Sequence, residues 1–131
     1  MKTKHMSITS LVFTALLFLG AGTGFGNSMD SVEGTIQGAN CVVHKNTCPI
    51  NAKDPHIALE NNFVLLADDG KYYFMPNISR SLKTSFVNKK VRASGEIRGF
   101  SIMVSDLSVQ EGSGYESVWN WAQIVKSLNR K

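Results

Sequence analysis

Apolar and polar positions change their spacing several times along the chain, and the spacing predicts the elements. Val32 to Gly38 alternates, with Val32 and Ile36 separated by small or polar residues, and reads as a strand that Ala39 to Val43 continues. Residues 44–61 are polar and carry Asn46, Pro49, Asn51 and Pro55, the composition of a long loop. Asn62 to Ala67 and Lys71 to Met75 are two short apolar runs around Asp69-Gly70, a pair that tolerates the positive φ of a tight hairpin. Ile78, Leu82 and Phe86 recur four apart behind Ser79, which predicts a short helix. Val91 to Ile97 and Ser101 to Val109 are two more strands turning at Gly99.

The order is strand, long loop, strand, strand, short helix, strand, strand. It predicts an all-β fold: a small five-stranded OB-fold-like barrel with one helix between its third and fourth strands. Beyond it, Gly112-Ser113-Gly114 reads as a hinge, and Ser113 with Glu116 as a capping box. Val118, Trp121, Ala122, Val125 and Leu128 then define a C-terminal amphipathic helix. It is expected to dock on the barrel, with Trp119 at the edge of its stripe.

The first 26 residues have a different character. Lys2 and Lys4 precede an apolar run from Ile8 to Ala21, followed by Gly24 and Gly26, the layout of a cleavable signal peptide. Thr14, Gly20 and Gly22 interrupt the run, which argues against a retained membrane anchor. The expected organisation is a signal peptide (1–26), a linker (27–31), the barrel (32–110), and a hinge with the C-terminal helix (111–131). Export would place the protein in the periplasm or outside the cell.

Cleavage changes the charge balance. The whole chain carries 14 Lys and Arg against 10 Asp and Glu, a net of +4; without its two leader lysines the net falls to +2. That value calls for no nucleic-acid partner. Tyr72, Tyr73 and Phe74 occupy a strand that OB-folds use for bases, yet only Lys71 beside them is basic. Tyr73 and Phe74 are expected to divide between core and helix contact. The candidate contact surface comprises Lys71, Tyr72, Tyr73, Arg80, Lys83, Lys89 and Trp119, for a protein or small ligand.

Two cysteines follow the leader, Cys41 and Cys48. In an oxidising compartment such a pair favours a disulfide. The competing reading is a metal or thiol-redox loop. Cys41, His44, Cys48 and His56 offer two thiolates and two imidazoles, donors suited to zinc or copper, with Met75 or Met103 as further soft ligands. Asp54-Pro55-His56 reads as a turn. No nucleophile elbow, phosphate loop or paired catalytic carboxylates accompany these residues, so no enzymatic activity is expected and no cofactor is required.

A leader with one small barrel resembles the exported bacterial OB-fold (BOF) type of protein over about residues 32–109, and the Cys41…Cys48-Pro49 loop with the run Asp69-Gly-Lys-Tyr-Tyr-Phe-Met-Pro-Asn77 is similar to other exported bacterial proteins. The resemblance implies a periplasmic, non-catalytic protein and carries no site residues with it; the expected role is a binding or stress-related accessory module.

Overall fold

The computed structural model describes residues 29–130. The stretch read as a signal peptide, residues 1–26, lies outside the described residues. The elements follow in the order β1 (Asp30–Gly38), α1 (Ala39–Val43), α2 (His56–Leu59), β2 (Phe63–Ala67), β3 (Tyr72–Phe74), α3 (Arg80–Ser85), β4 (Lys90–Arg98), β5 (Ser101–Glu111), β6 (Gly114–Asn120) and α4 (Trp121–Leu128). Ala39 to Val43 form a helical turn instead of prolonging β1.

The strands form one mostly antiparallel sheet in the order β3-β2-β1-β4-β5-β6. A single parallel register pair, Phe74↔Ser101, also joins β3 to β5. β1 is central: Gly34 pairs with Ala67 of β2 and with Val91 of β4. A Cβ on Gly34 would lie 2.7 Å from the Leu66 carbonyl carbon and 2.8 Å from Ala67 Cα, so only glycine lets β2 come this close. Gly95 plays the same part in β4, where the register with β5 slips by one residue and the strand bends.

The core gathers side chains from the sheet and from the segments around α3. Ile36, Phe63, Leu65, Val91, Ala93, Ile102, Val104, Leu107 and Val109 come from the strands; Met75, Ile78 and Val87 come from the segments around α3. Leu82 and Phe86, two of the three residues on the predicted helix stripe, pack against that core. Ser79 caps α3, its side chain accepting the Leu82 N–H. Asn88 ends the segment at φ 56°.

Two expectations require correction. Among the described residues the sheet has six strands, not five, and the C-terminal helix begins at Trp121, so the stretch read as hinge and capping box is a hairpin. Gly112 turns it at φ 59°, and β6 pairs with the Asp106–Glu111 end of β5. The reason is non-local. β5 is longer than its neighbours, and its second edge, beyond the single contact with β3, would otherwise present bare backbone donors and acceptors. Asp106 locks the pairing by accepting from Ser108 Oγ (2.6 Å), Ser117 Oγ (2.5 Å) and Asn120 Nδ2 (3.0 Å). Burial pushes its pKa up, but these three donors outweigh burial and hold it below the usual value. The cap of α4 is Asn120, whose Oδ1 accepts from the Gln123 N–H at 3.2 Å. The helix contributes no buried residue, and Trp121 and Leu128 of the predicted stripe stay exposed.

Candidate functional site

Two features converge on the loop between β1 and β2: a disulfide-tied polar segment, and an exposed aromatic cluster beside it.

The loop is fastened from several sides. Gly38 N–H donates to the Cys48 carbonyl at 2.9 Å, and Ala39 N–H to the Asn62 carbonyl at 2.9 Å. Cys41 and Cys48 are joined by a disulfide, with Cα atoms 5.7 Å apart. The Arg80 guanidinium reaches back from α3 to the carbonyls of Ile57 (2.5 Å) and Glu60 (2.9 Å), and its face covers the Phe63 ring. Cys41 is buried and Cys48 partly exposed. Glu60 is a buried carboxylate, 5% exposed. Its Oε2 accepts the Asn40 N–H at 3.3 Å, and its Oε1 lies 3.1 Å from Cys41 Sγ.

On the other side of Cys48, Asp54 organises the turn. It accepts from Ile50 N–H (2.8 Å) and His56 N–H (2.9 Å), and Oδ1 lies 2.8 Å from His56 Nδ1. The two backbone donors, followed by the imidazole, lower its pKa to about 2. Against an ionised carboxylate Nδ1 must carry the hydrogen. Thr47, Cys48, Asn51, Asp54 and His56 line one open cavity of about 470 Å³ here.

The aromatic cluster is built by β3 and the β4–β5 turn. The turn is only Gly99-Phe100, with Gly99 at φ 58°, and it is clipped to β3 where Phe74 N–H donates to the Phe100 carbonyl at 2.7 Å. Tyr72 and Phe100 stack with ring centroids 5.6 Å apart, and Tyr72 meets Phe74 edge-on at 6.1 Å. Phe100 is 67% exposed and Phe74 38%. Tyr72 also lines a neighbouring groove of about 530 Å³ with Val42, Val43, Lys45, Thr47 and Leu66. The outer face of β2–β3 therefore presents three aromatic rings and an aliphatic trough.

Of the residues singled out from the sequence, Tyr72 belongs to this face, while Tyr73 packs against the core. Lys71 pairs with Asp69 in the hairpin turn. Arg80 holds the loop as described, Lys83 Nζ donates to the Met75 carbonyl, and Lys89 lies over the Phe86 ring. Trp119 packs beside the core and against Trp121. His44 is exposed at the end of α1. Among the described residues, the gathered metal-ligating atoms are those of Cys41, Cys48 and Glu60, and neither histidine joins them. As a disulfide, the two sulfurs offer no thiolate to zinc or copper. Met75 is buried in the core and Met103 lies exposed on β5.

A larger depression of about 780 Å³ is lined by Glu33, Asp68, Asp69, Tyr73 and Arg92. Its charges are already satisfied. Arg92 binds Glu33 at 2.6 Å and lies 3.9 Å over the Tyr115 ring, Lys90 pairs with Asp68, and Lys71 with Asp69. The Arg92 hydrogen bond holds Glu33 below the usual carboxylate pKa. Such a surface has little pull on a charged ligand.

Phe100 and Glu60 are the site residues that sequence reasoning passed over; Phe74, expected to divide with Tyr73 between core and helix contact, lies 38% exposed in the cluster. Phe100 had one signal, a large aromatic beside glycine at the tip of a two-residue turn. Glu60 had none, because nineteen residues separate it from Cys41. No protein-family model, curated protein or solved structure matches the chain.

Proposed function

We propose that the chain is an exported accessory module with an OB-fold-like barrel, and that it binds its partner through the outer face of β2–β3. The barrel reading is supported by β1 pairing with both β2 and β4, by the Phe74↔Ser101 pair linking β3 to β5, and by α3 between β3 and β4. β6 is then an addition to the edge of β5. The disulfide suits the oxidising compartment that the leader pattern implies.

The exposed Tyr72–Phe100–Phe74 cluster carries the functional reading. Soluble domains seldom leave adjoining aromatic rings beside an apolar trough unless something covers them. The surrounding strands, the long β1–β2 loop and the β4–β5 turn are the parts an OB-fold uses for ligands. Lys45 is the one basic residue among those lining the groove beside Tyr72, next to Val42, Val43 and Leu66, so the partner class is a protein segment or small apolar ligand.

A photo-crosslinking amino acid at Phe100 tests this in the exporting cell. A discrete adduct at position 100, absent with the same probe at Ser85 and lost in Tyr72→Ala, supports the reading. Equal labelling at both positions contradicts it. Binding of a single-stranded oligonucleotide that falls steeply with salt would replace it with a nucleic-acid function.

A further inference from the structure

We propose that Cys41–Cys48 is a thiol–disulfide exchange site, with Cys48 the sulfur attacked from outside, Cys41 the resolving sulfur and Glu60 its proton acceptor. This goes beyond the binding reading and does not depend on it.

Three observations converge. The two cysteines are unequal: Cys41 is 8% exposed, whereas Cys48 is partly exposed and lines the 470 Å³ cavity. An exchange partner is therefore expected to approach at Cys48 and not at Cys41. Next, the buried sulfur touches a buried carboxylate, Glu60 Oε1 at 3.1 Å from Cys41 Sγ. A disulfide needs no such neighbour, and the carboxylate loses solvation by lying there. A thiol attacking from Cys41 does need a proton acceptor, because the thiolate is the nucleophile. Finally, the cavity lined by Cys48 carries the Asp54–His56 pair on its wall. Incoming and departing sulfurs would cross that cavity.

The chemistry closes with an external dithiol and a client disulfide. The dithiol first reduces Cys41–Cys48, its two thiols becoming a disulfide and both protein sulfurs becoming thiols. Cys48 then gives its proton to water and attacks the client disulfide as its thiolate. One client sulfur leaves and takes a proton from water, and Cys48 stays bonded to the other. Glu60 Oε1 takes the proton of Cys41; the Cys41 sulfur bonds to Cys48 Sγ, and the second client sulfur leaves with the electron pair and takes a proton from water, to which Glu60 returns the one it accepted. The ring disulfide is restored, two client thiols are released, and two electrons have passed from the dithiol to the client.

The test uses the full purified chain, with dithiothreitol and glutathione disulfide as probes and alkylation mass shifts as readout. Reduction of the native disulfide should rise in proportion to dithiothreitol while the fold is retained. A rate that levels off at the global unfolding rate, measured by hydrogen exchange, would mark a purely structural bridge and overturn the proposal. In Cys41→Ser, glutathione disulfide should form a mixed disulfide at Cys48; in Cys48→Ser, Cys41 should react at least about tenfold more slowly, because burial restricts its access. Equal reactivity removes the assigned order. Glu60→Gln should slow ring closure by about tenfold or more, as loss of a positioned base does, and leave capture at Cys48 unchanged. Glu60→Asp should recover part of the closure rate. Closure unaffected in Glu60→Gln would reject the proton role. The two cysteine variants keep the order of attack testable if Glu60→Gln fails to fold.

Discussion

Adding one methyl group at Gly34 should cost this protein a large share of its stability. The Cβ of Gly34→Ala falls 2.7 Å from the Leu66 carbonyl carbon and 2.8 Å from Ala67 Cα, and it overlaps the Leu66 carbonyl oxygen more closely still. All of these are backbone atoms, so no side chain can swing aside. The strands must part, and Gly34 to Gly38 is the whole β1–β2 register. Overpacking of this kind costs about 1–3 kcal/mol. Weakening two ladder hydrogen bonds adds about 1 kcal/mol each. The smaller conformational freedom of alanine in the unfolded chain returns about 0.4–1 kcal/mol. The net expectation is a loss of about 3 kcal/mol, set against a total of about 5–15 kcal/mol for a typical domain. Urea unfolding followed by tryptophan fluorescence measures it, with Trp119 and Trp121 reporting. Gly114→Ala is the matched control: its Cβ would meet nothing within 4 Å, and its cost should stay within about 0.5 kcal/mol. A Gly34→Ala midpoint within about 1 kcal/mol of the parent, at unchanged slope, would refute the claim that close approach of β1 and β2 shapes the sheet.

Replacing both Cys41 and Cys48 by serine opens a loop of eight residues and should cost about 2.5 kcal/mol in the same urea assay, from restored unfolded-state entropy; a cost near zero would mean the hydrogen bonds of the loop suffice without the bridge. Because the folded pKa of Asp54 is lowered to about 2 from an ordinary 3.8, its contribution is complete above about pH 4 and is lost as pH falls toward 2. The His56 Nδ1 resonance should shift over that window, and Asp54→Ala should abolish the acid transition while leaving the neutral-pH spectrum of the core intact. Asp106→Ala leaves Ser117 and Asn120 without their shared acceptor and should loosen β6 by about 1 kcal/mol. Limited proteolysis should then cut near Gly112 before the rest of the sheet unfolds, and an unchanged cleavage pattern would show that backbone pairing alone holds β6.

The candidate site was legible only in pieces. Tyr72 and the Cys41–Cys48 pair stood out from local pattern, as did the Asp54-Pro55-His56 turn. Their companions did not. Phe100 reaches Tyr72 because β5 returns beside β3, and Glu60 reaches Cys41 because the loop folds back under Arg80. The basic residues Arg80, Lys83 and Lys89 looked like a contact surface, yet each side chain is engaged with a carbonyl or a ring of the protein itself.

Local order in the chain determined most of the strands. Alternating or short apolar runs, the Asp69-Gly70 and Gly99 turns and the Ser79 cap each act within a few residues, so β1 to β5 and α3 can be read directly. Tertiary structure decided the rest. The Ser113 and Glu116 pattern that favours a helix start lost to β6 because pairing with the open edge of β5, brought alongside by the fold, satisfies backbone groups of both strands at once. Pairings across dozens of residues depend on which edges and side chains the folded sheet leaves unfilled, and spacing along the chain does not encode that.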